Sequence, residues 1–599
     1  MQQTPALTPF PLDLLLGRVA HEWESRGRIF DLPSARFWSP NQDIDLSMDF
    51  MGRPAATPLG PAAGPHSQMA QNIVLGWLAG ARLFELKTVQ VIDDLDIERP
   101  CIDMQNVGFN IEWSQELRVP ESIEEYVKAW MMIEILRGWA PLQPHIGADP
   151  GPHIFDMSVG YDLAGIQSDK VAGFIDAMLD AGEVIDRLRP FIPEPFTAYR
   201  DHDFPTRVAD TITVSTFHGC PPAEITAIVK HLMDRHGVDV IVKLNPTLLG
   251  FPRVIQLLQE DLGYRDIWLD RLSFVDDLDI TRGVELIAEL QSYAARQGRR
   301  FGVKLTNTMV VNNDKGFLPA DPMYMSGPPL HVLATALLDE LLNTLPGRFR
   351  VAGHDGPIQV SFSAGLTKEN VADTVGMGVS PATLSSDLLR PGGYGRLEPM
   401  LRQLEGEVAG AGCRTLDEWH RHKWDQAKAA GFRGPAEAHL RQAVEGDARA
   451  RYDLAANEGV PRAVDHDLEM WGCVACNLCV TVCPNDAFFR LPTPEGSGLS
   501  GRQQYMVLAE LCNECGNCMV FCPENGDPAQ VKAKLYLDED RFVMGTGQGF
   551  LVTAGSAGVD VTARTGCETE VPRLLELLND AQQGIPLRVA DIGATSGRD

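Results

Sequence analysis

The sequence predicts an α/β protein in which a (β/α)8 barrel precedes a small cysteine-rich domain of the α+β type. Two observations lead to this prediction. Short β-rich runs alternate with amphipathic helical stretches through residues 46–405, and eight such runs can be counted. One cysteine spacing then occurs twice between residues 473 and 523. With 599 residues, the chain is long enough for one large barrel and additional segments.

The barrel is predicted from the number and order of its strands. A strand followed by a helix implies parallel pairing through helical crossovers. Eight such units close a barrel; an open doubly wound sheet is the alternative, and the count favours the barrel. The predicted strands are 56–61, 83–88, 153–158, 211–216, 239–244, 301–305, 358–362 and 381–385. The predicted helices are 67–79, 122–137, 169–186, 222–236, 283–297 and 331–343.

Small and polar residues follow the predicted strands, which is where a barrel places its active site. The carboxyl ends of parallel strands meet at one mouth, so residues distant in sequence come together there. The loops after the seventh and eighth strands, SAGLTKEN and SSDLLRPGG, contain small residues that let backbone N–H groups approach a phosphate. The residues expected at the mouth are Ala63, Gly64, Lys87, Thr88, Gly160, Tyr161, His218, Cys220, Lys243, Asn245, Thr306, Asn307, Thr308, Ser363, Ala364, Gly365, Ser385 and Ser386.

Two cysteine runs, CVACNLCVTVCP and CNECGNCMVFCP, both follow the spacing C-x2-C-x2-C-x3-C-P. This is the spacing of bacterial ferredoxins with two 4Fe–4S clusters, in which the fourth cysteine of each run serves the other cluster. Paired zinc sites or disulfides are the alternatives, but neither explains the repeated spacing. One cluster is therefore expected on Cys473, Cys476, Cys479 and Cys522, and the other on Cys512, Cys515, Cys518 and Cys483.

Composition excludes some function classes. The net charge of −29 argues against binding to nucleic acids or anionic membranes, because both favour a basic protein face. The N-terminal residues lack the features of a secretory signal, and no uncharged apolar run is long enough to span a membrane. We therefore expect a cytoplasmic protein.

The predicted organisation has five segments. A helical N-terminal extension covers 1–45, the barrel 46–405 and a helical linker 406–465. The ferredoxin-type domain covers 466–540, and a C-terminal tail with strand-like runs and an amphipathic stretch covers 541–599.

Several runs carry a resemblance to a known family, including GPAAGPHSQMAQNIV, FELKTVQ, PCIDMQN, STFHGCPPAEI, VKLNPTLLG, GVKLTNT and DLLRPGGYGRL. With the cysteine runs, they cover nearly the whole chain. The chain resembles the selenate reductase family, whose relatives are the dihydropyrimidine and dihydroorotate dehydrogenases. The resemblance implies an FMN-binding barrel followed by a two-cluster ferredoxin module.

The resemblance also implies roles for individual residues. Lys87 and Lys243 resemble two lysines that contact the flavin. Cys220 aligns with a cysteine that protonates the substrate on the face opposite the flavin, and His218 is placed to tune it. The other implied flavin contacts are Ala63, Gly64, Thr88, Asn110 and Thr306, with Gly365, Ser385 and Ser386 at the phosphate. The implied substrate contacts are Asn110, Asn245, Asn307, Thr308 and Phe217.

Two departures from the family pattern change the expected function. The pyrimidine enzymes have a substrate-binding asparagine where this chain has Phe217, and a phenyl ring cannot make those hydrogen bonds. Relatives of the selenate reductase type also carry an FAD- and NADPH-binding module, for which residues 406–465 are too few. We therefore expect a substrate other than a standard pyrimidine. Electrons are expected to pass to or from a separate FAD/NAD(P)H subunit or ferredoxin.

Together these features predict an oxidoreductase of the dihydropyrimidine dehydrogenase type that acts on CH–CH or related bonds. Electrons would pass between two 4Fe–4S clusters and FMN, and hydride would pass to or from an unsaturated, N-heterocyclic small molecule. Two alternatives are an electron-transfer subunit that keeps its barrel as a scaffold and an amide-transferring enzyme like glutamate synthase. The complete set of mouth residues counts against the scaffold, and the lack of an N-terminal cysteine nucleophile counts against amide transfer.

Overall fold

The predicted barrel is the central feature of the computed structural model, which describes residues 7–93, 95–111, 114–215, 220–314, 316, 318–556, 558–579 and 587. Eight parallel strands lie close to their predicted positions. They are β1 (Leu59–Pro61), β2 (Leu83–Glu85), β3 (Ile154–Val159), β4 (Ala209–Ser215), β5 (Asp239–Leu244), β6 (Phe301–Leu305), β7 (Ile358–Phe362) and β8 (Ala382–Leu384). Their residues are almost all buried, as expected for parallel strands that are covered on both faces.

The strands form a nearly closed barrel rather than an open sheet. Each strand pairs with the next from β2 to β8, and β8 returns to pair with β1. Between β1 and β2, the Arg82 amide donates a 3.0 Å hydrogen bond to the Leu59 carbonyl. Gly60 permits this approach, because a Cβ there would lie 1.5 Å from the Leu83 carbonyl oxygen. The barrel prediction is confirmed, and the open doubly wound alternative is wrong.

The helices around the barrel follow the predicted alternation. The helix Pro222–His236 has its predicted bounds: it begins with a proline in its first turn, and Gly237 ends it in the left-handed conformation with φ +64°. The predicted helix 169–186 is two helices. The observed helices include Ala70–Leu78, Val119–Gly138, Asp169–Leu179, Gly182–Leu188, Pro222–His236, Ile280–Arg296, Pro328–Thr344, Val371–Gly376 and Leu397–Gly410.

A small antiparallel sheet, here called the mouth sheet, lies over the carboxyl end of the barrel. The sequence analysis did not predict it. Its strands come from the segments that follow β2 and β6, and Asn110 pairs with both Ile102 and Tyr324. The four strands are Ile102–Asp103, Gly108–Asn110, Met309–Val311 and Met323–Ser326.

Helices also occupy the two segments that flank the barrel. The predicted N-terminal extension contains the helix Leu12–Arg26. The predicted linker contains the helices Leu416–Ala429, Pro435–Val444 and Leu454–Asn457. These later helices lie against the barrel rather than apart from it; for example, the Arg433 guanidinium pairs with Asp339 of a barrel helix at 2.8 Å.

The cysteine-rich domain is built on a five-stranded sheet. The C-terminal tail supplies its last two strands and the helix Val571–Leu578, so the tail is part of this domain's sheet. Two short helices, Leu478–Thr481 and Asn517–Phe521, follow the first cysteines of each run. The strands, in sheet order, are Phe488–Pro492, Gln503–Leu508, Ala533–Tyr536, Phe550–Gly555 and Gly558–Ala563.

A buried ion pair joins the N-terminal helix to the cysteine-rich domain. Arg18 is fully buried and contacts Asp486 and Glu22, each at 2.7 Å. A buried guanidinium without carboxylate partners is costly, so Asp486 and Glu22 compensate the buried charge of Arg18.

Among the described helices, none combines the length and the apolar character that crossing a membrane requires.

Candidate functional site

A cavity of about 690 Å³ opens at the carboxyl ends of the barrel strands, under the mouth sheet. Most of the predicted site residues line it, from loops that follow different strands. The parallel arrangement of the strands brings these residues together, as the sequence analysis expected. The predicted residues that line the cavity are Ala63, Gly64, Lys87, Thr88, Asn110, Gly160, Tyr161, Lys243, Thr306, Asn307, Thr308, Ser363, Ala364, Gly365, Ser385 and Ser386.

Two lysines line the same cavity, and the charge of Lys87 affects the pKa of Lys243. Lys87 follows β2, and its carbonyl accepts a 3.0 Å hydrogen bond from the Tyr126 hydroxyl, which fixes the local backbone. Lys243 lies in β5. Burial, together with the positive charge of Lys87, lowers the pKa of the Lys243 amine to about 8. A negatively charged ligand would relieve this repulsion, so the pair favours an anion.

The loops after β1, β7 and β8 meet at one end of the cavity. Gly64 allows this close approach, because a Cβ there would lie 2.8 Å from the Ser385 hydroxyl. Gly365 adopts a positive φ of +49°. The Asn370 side chain braces the loop after β7: it donates to the Gly365 carbonyl at 3.0 Å and accepts from the Thr367 amide at 2.8 Å. Such a collection of small residues lets backbone N–H groups approach an anion.

Thr306 provides a polar atom that is not satisfied within the described part of the protein. The residue is buried, and its hydroxyl oxygen has no hydrogen-bond partner there, although the residue lines the cavity. Buried hydroxyls are normally hydrogen-bonded. This group is therefore placed to bind a polar atom of a ligand.

Cys220 and Asn245 lie in a narrower recess beside the main cavity, and Lys243 lines both spaces. The Asn307 amide donates to the Asn245 side-chain oxygen at 3.1 Å. Asn245 in turn donates to Asp277 at 3.2 Å. The two asparagines therefore connect the cavity to the recess. The other two predicted residues of this region, Phe217 and His218, lie outside the described residues.

The surroundings of Cys220 keep its thiol protonated. The side chain is buried, and burial, followed by the negative charges of Glu224 and Asp277, raises the pKa of Cys220 to about 12. At neutral pH the group is therefore a thiol that can donate a proton, not a thiolate nucleophile.

The sequence analysis missed several residues of this region. Glu85 and Lys304 form a buried ion pair in the barrel interior, where Glu85 also accepts from the Ala63 amide at 3.2 Å. Both sit two positions before a predicted site residue, Lys87 and Thr306. This period of two in a strand could have indicated that they point to the same face. The other lining residues that were missed include Asp162, Asp270, Tyr324 and Ser326.

The eight cysteines of the two runs form two groups. The outer group, Cys473, Cys476, Cys479 and Cys522, lines one small pocket, and Cys476 is exposed. In the inner group, Cys512, Cys515 and Cys518 are buried. Burial, together with the charge of neighbouring Cys512, raises the pKa of Cys483 to about 12, which places Cys483 beside the second run.

The two groups consist of cysteine side chains alone. Four cysteines around a common pocket are the donor set that a 4Fe–4S cluster requires.

The inner cysteine group lies against the wall of the cavity. The Cys515 carbonyl accepts hydrogen bonds from the amides of Cys101 and Ile102, at 2.9 and 3.0 Å, and the Ile102 residue lines the cavity. Gly516 is required here, because a Cβ would lie 2.3 Å from Cβ of Pro100. On the same side, Asn517 donates to the carbonyl of Leu389, another lining residue, at 2.8 Å. The segments that carry Ile102 and Leu389 therefore contact both the cysteine group and the cavity.

Comparisons with known proteins agree with this two-part architecture. The family model for the N-terminal TIM-barrel domain of oxidoreductase YgfK matches residues 30–430, and a 4Fe-4S dicluster domain matches residues 472–525. Two solved structures of DHODH from Eimeria tenella, one with ferulenol and one ligand-free, are also similar. They have TM-scores of 0.39 and 0.37 at 13% and 14% identity, and cover 68% and 67% of this chain and 95% and 97% of their own. At these scores the likeness carries no argument about function.

Two curated relatives are the YgfK proteins of Escherichia coli strains K12 and O157:H7, described as oxidoreductases with no substrate in the name. Each is 39% identical over 426 residues, which is 67% of this chain but only 39% of the relative. The chain thus matches well under half the length of these relatives. By the extent of the barrel match, it belongs to the YgfK family of oxidoreductases.

Proposed function

We propose that the chain is an iron–sulfur flavoprotein that passes electrons between two 4Fe–4S clusters and an FMN bound in the barrel cavity. The observation that carries this proposal is the contact between the inner cysteine group and the cavity wall, made through the Cys515 carbonyl and the Ile102 amide. This contact supports a one-electron site next to a cavity that suits an organic cofactor. The barrel and the dicluster domain are then parts of one redox unit.

FMN fits the polar groups that the cavity offers. Its phosphate would lie where Gly365, Ser385 and Ser386 meet, and its ring would lie beside Lys87 and Lys243. The unsatisfied hydroxyl of Thr306 would bind a polar atom of the cofactor. Bound in these positions, FMN supplies hydride transfer and the clusters supply one-electron transfer.

The substrate side is formed by amide and hydroxyl groups. Asn110, Asn307 and Thr308 line the cavity and can hydrogen-bond a ring with N–H and carbonyl groups. Asn245 holds Asn307 in place from the recess. Cys220 holds a proton on its Sγ for delivery to the substrate, and receives one back when the reaction runs in the opposite direction. We propose an N-heterocycle as the substrate class.

A separate electron-transfer protein completes this proposal. Cys476 is the exposed member of the outer cysteine group, whereas three of the inner cysteines are buried. Electrons therefore pass through the outer group at the surface and the inner group beside the cavity. We propose an FAD/NAD(P)H flavoprotein or a ferredoxin as the partner.

Lys243 gives the proposed cofactor site a pH dependence. The pKa of its amine is lowered to about 8, so the positive charge is present below this pH and is lost above it. The affinity for FMN is expected to fall as pH rises through 8, by up to about tenfold per pH unit. Fluorescence titration of cofactor-free chain with FMN between pH 6.5 and 9.5 measures this. The Lys243→Arg variant, whose guanidinium stays charged, should not show the decline. A flat wild-type profile would contradict the role of Lys243.

Anaerobic purification with flavin and iron analysis tests the proposal as a whole. One FMN and about eight iron atoms per chain are expected, as two 4Fe–4S clusters require. N-heterocycles can then be screened for reoxidation of the reduced protein, and NADPH alone should not reduce the chain at a dehydrogenase rate. Iron without flavin, in a sample that cannot be reconstituted with FMN, would favour an electron-transfer subunit with a scaffold barrel.

A further inference from the structure

The loop after β7, residues 363–370 and here called the β7 loop, is held from behind by residues 435–452. These residues belong to the segment that was expected to act as a helical linker. Here they are called the post-barrel segment, and they comprise the helix Pro435–Val444 and the turn that follows it. The β7 loop is one side of the proposed phosphate site, and its residues Ala364 and Gly365 line the cavity.

A pair of buried histidines forms the main connection. His331, on the barrel helix Pro328–Thr344, has its Nδ1 atom 2.9 Å from the Ala364 carbonyl oxygen. Its Nε2 atom lies 2.8 Å from Nε2 of His439 in the post-barrel segment. A carbonyl only accepts hydrogen bonds, so Nδ1 of His331 must carry the proton. In neutral His331, Nε2 is therefore an acceptor, and His439 must donate to it. The chain of donors runs from His439 through His331 to the loop.

The environment keeps both rings neutral, as this arrangement requires. Burial, together with the neighbouring His439, lowers the pKa of His331 to about 3, and burial lowers that of His439 to about 4. Tyr452 of the post-barrel segment stacks on His331, with ring centroids 5.0 Å apart and planes 6° from parallel. Phe362, the last residue of β7, packs edge-on against the His331 ring, with the two ring centroids 5.3 Å apart. The orientation of His331 is thus fixed by packing and by hydrogen bonds.

A second contact reaches the far end of the β7 loop. The Arg451 guanidinium donates to the Glu369 carbonyl at 2.8 Å and lies 3.7 Å from the Asp373 carboxylate. Lys423, from the helix Leu416–Ala429, also pairs with Asp373 at 2.7 Å. The post-barrel residues therefore hold both ends of the β7 loop, and the Asn370 side chain braces it from within.

We propose that the post-barrel segment positions the β7 loop for anion binding, with His331 and His439 as positioning residues. Fixing the Ala364 carbonyl also fixes the direction of the backbone amides that follow it. Only the identity of the ligand, the phosphate of FMN, rests on the proposed function; the restraint on the loop does not.

Hydrogen–deuterium exchange of the cofactor-free full chain tests the restraint directly. His439→Phe keeps an aromatic ring but removes the donor, which leaves a buried nitrogen of His331 unpaired. Exchange in the peptide that covers 363–370 is expected to become about tenfold faster, in line with the cost of an unsatisfied buried group. His439→Gln, whose amide can donate to His331, should restore most of the protection. The matched control is His422→Phe, because His422 stacks on Trp419 in the helix Leu416–Ala429, outside the post-barrel segment.

Two further measurements separate the possible outcomes. The affinity for FMN should fall about tenfold in His439→Phe and stay at the wild-type level in the His422→Phe control, with iron content unchanged in both. Failure of the wild-type chain to bind FMN would contradict the proposed function. The exchange data would still test whether the post-barrel segment restrains the β7 loop. If His439→Phe does not fold, Arg451→Met removes the Glu369 and Asp373 contacts near the surface and should loosen residues 367–370. Wild-type exchange in a folded His439→Phe or Arg451→Met protein would overturn the proposal.

Discussion

Replacement of Cys220 by alanine is expected to lower turnover by about 100- to 10,000-fold, the usual contribution of a general acid. Flavin and iron contents should stay at wild-type levels, because Cys220 lies in the recess beside the cavity rather than among the cysteine groups. Turnover falls because alanine has no proton to donate. In the wild type, the pKa of the Cys220 thiol is raised to about 12, so the thiol is protonated throughout the neutral range.

Steady-state rates with a substrate from the heterocycle screen measure this effect. Cys413→Ala is a matched control, since Cys413 is also buried but lies outside the cavity and the recess. In the wild type, the fall in rate that deprotonation of Cys220 causes should appear only near pH 12. A fall in rate near pH 8 would come from Lys243, and the Lys243→Arg variant should shift it to higher pH. Unchanged turnover in Cys220→Ala would reduce Cys220 to a small buried residue without a chemical role.

The second large effect is expected for Cys515→Ser. Loss of one inner ligand should reduce iron from about eight to about four atoms per chain, since one cluster is no longer held. Flavin should remain bound, but its reduction through the ferredoxin-type domain should slow sharply, because the inner cluster would be missing from the electron path. The physical reason is the contact of Cys515 with Ile102, which makes the inner group the neighbour of the cavity.

Iron analysis, electron paramagnetic resonance of the reduced protein and stopped-flow flavin reduction distinguish the two cysteine groups. Cys476→Ser removes the exposed outer ligand and should leave the inner signal and its communication with the flavin intact. Cys101→Ala is the control for packing, because Cys101 is buried next to Cys515 but belongs to neither run. Normal flavin reduction in Cys515→Ser would mean that electrons reach the cavity by another route.

Much of the barrel could be predicted because its signals are local. The strand 239–244 is a nearly continuous apolar run, and the helix 222–236 has both a regular apolar face and a proline in its first turn. The mouth sheet could not be predicted in the same way. Its strands have two to four residues each, and Gly108–Asn110 pairs with Met323–Ser326 from a distant part of the chain. Such pairing depends on where two long loops meet, which a local pattern does not encode.

The candidate site, like the fold, could be predicted only in part. Lys87, Lys243 and Thr306 could be predicted because the carboxyl ends of parallel strands must converge. The separation of Cys220 into its own recess could not, because residues from distant parts of the chain, such as Ile225, Asn245 and Asp277, form the recess. The role of the predicted linker was also missed, since the contact between His331 and His439 joins two helices far apart in sequence.

The buried pair of Arg18 and Asp486 has a consequence for how the protein is made. A ribosome produces the helix Leu12–Arg26 well before the cysteine-rich domain, and N-terminal parts generally fold first. Until Asp486 leaves the ribosome, Arg18 has Glu22 but not Asp486 as a carboxylate partner. We therefore expect the helix to dock fully only when the cysteine-rich domain has been synthesised, so that assembly of this domain also completes the N-terminal part of the molecule.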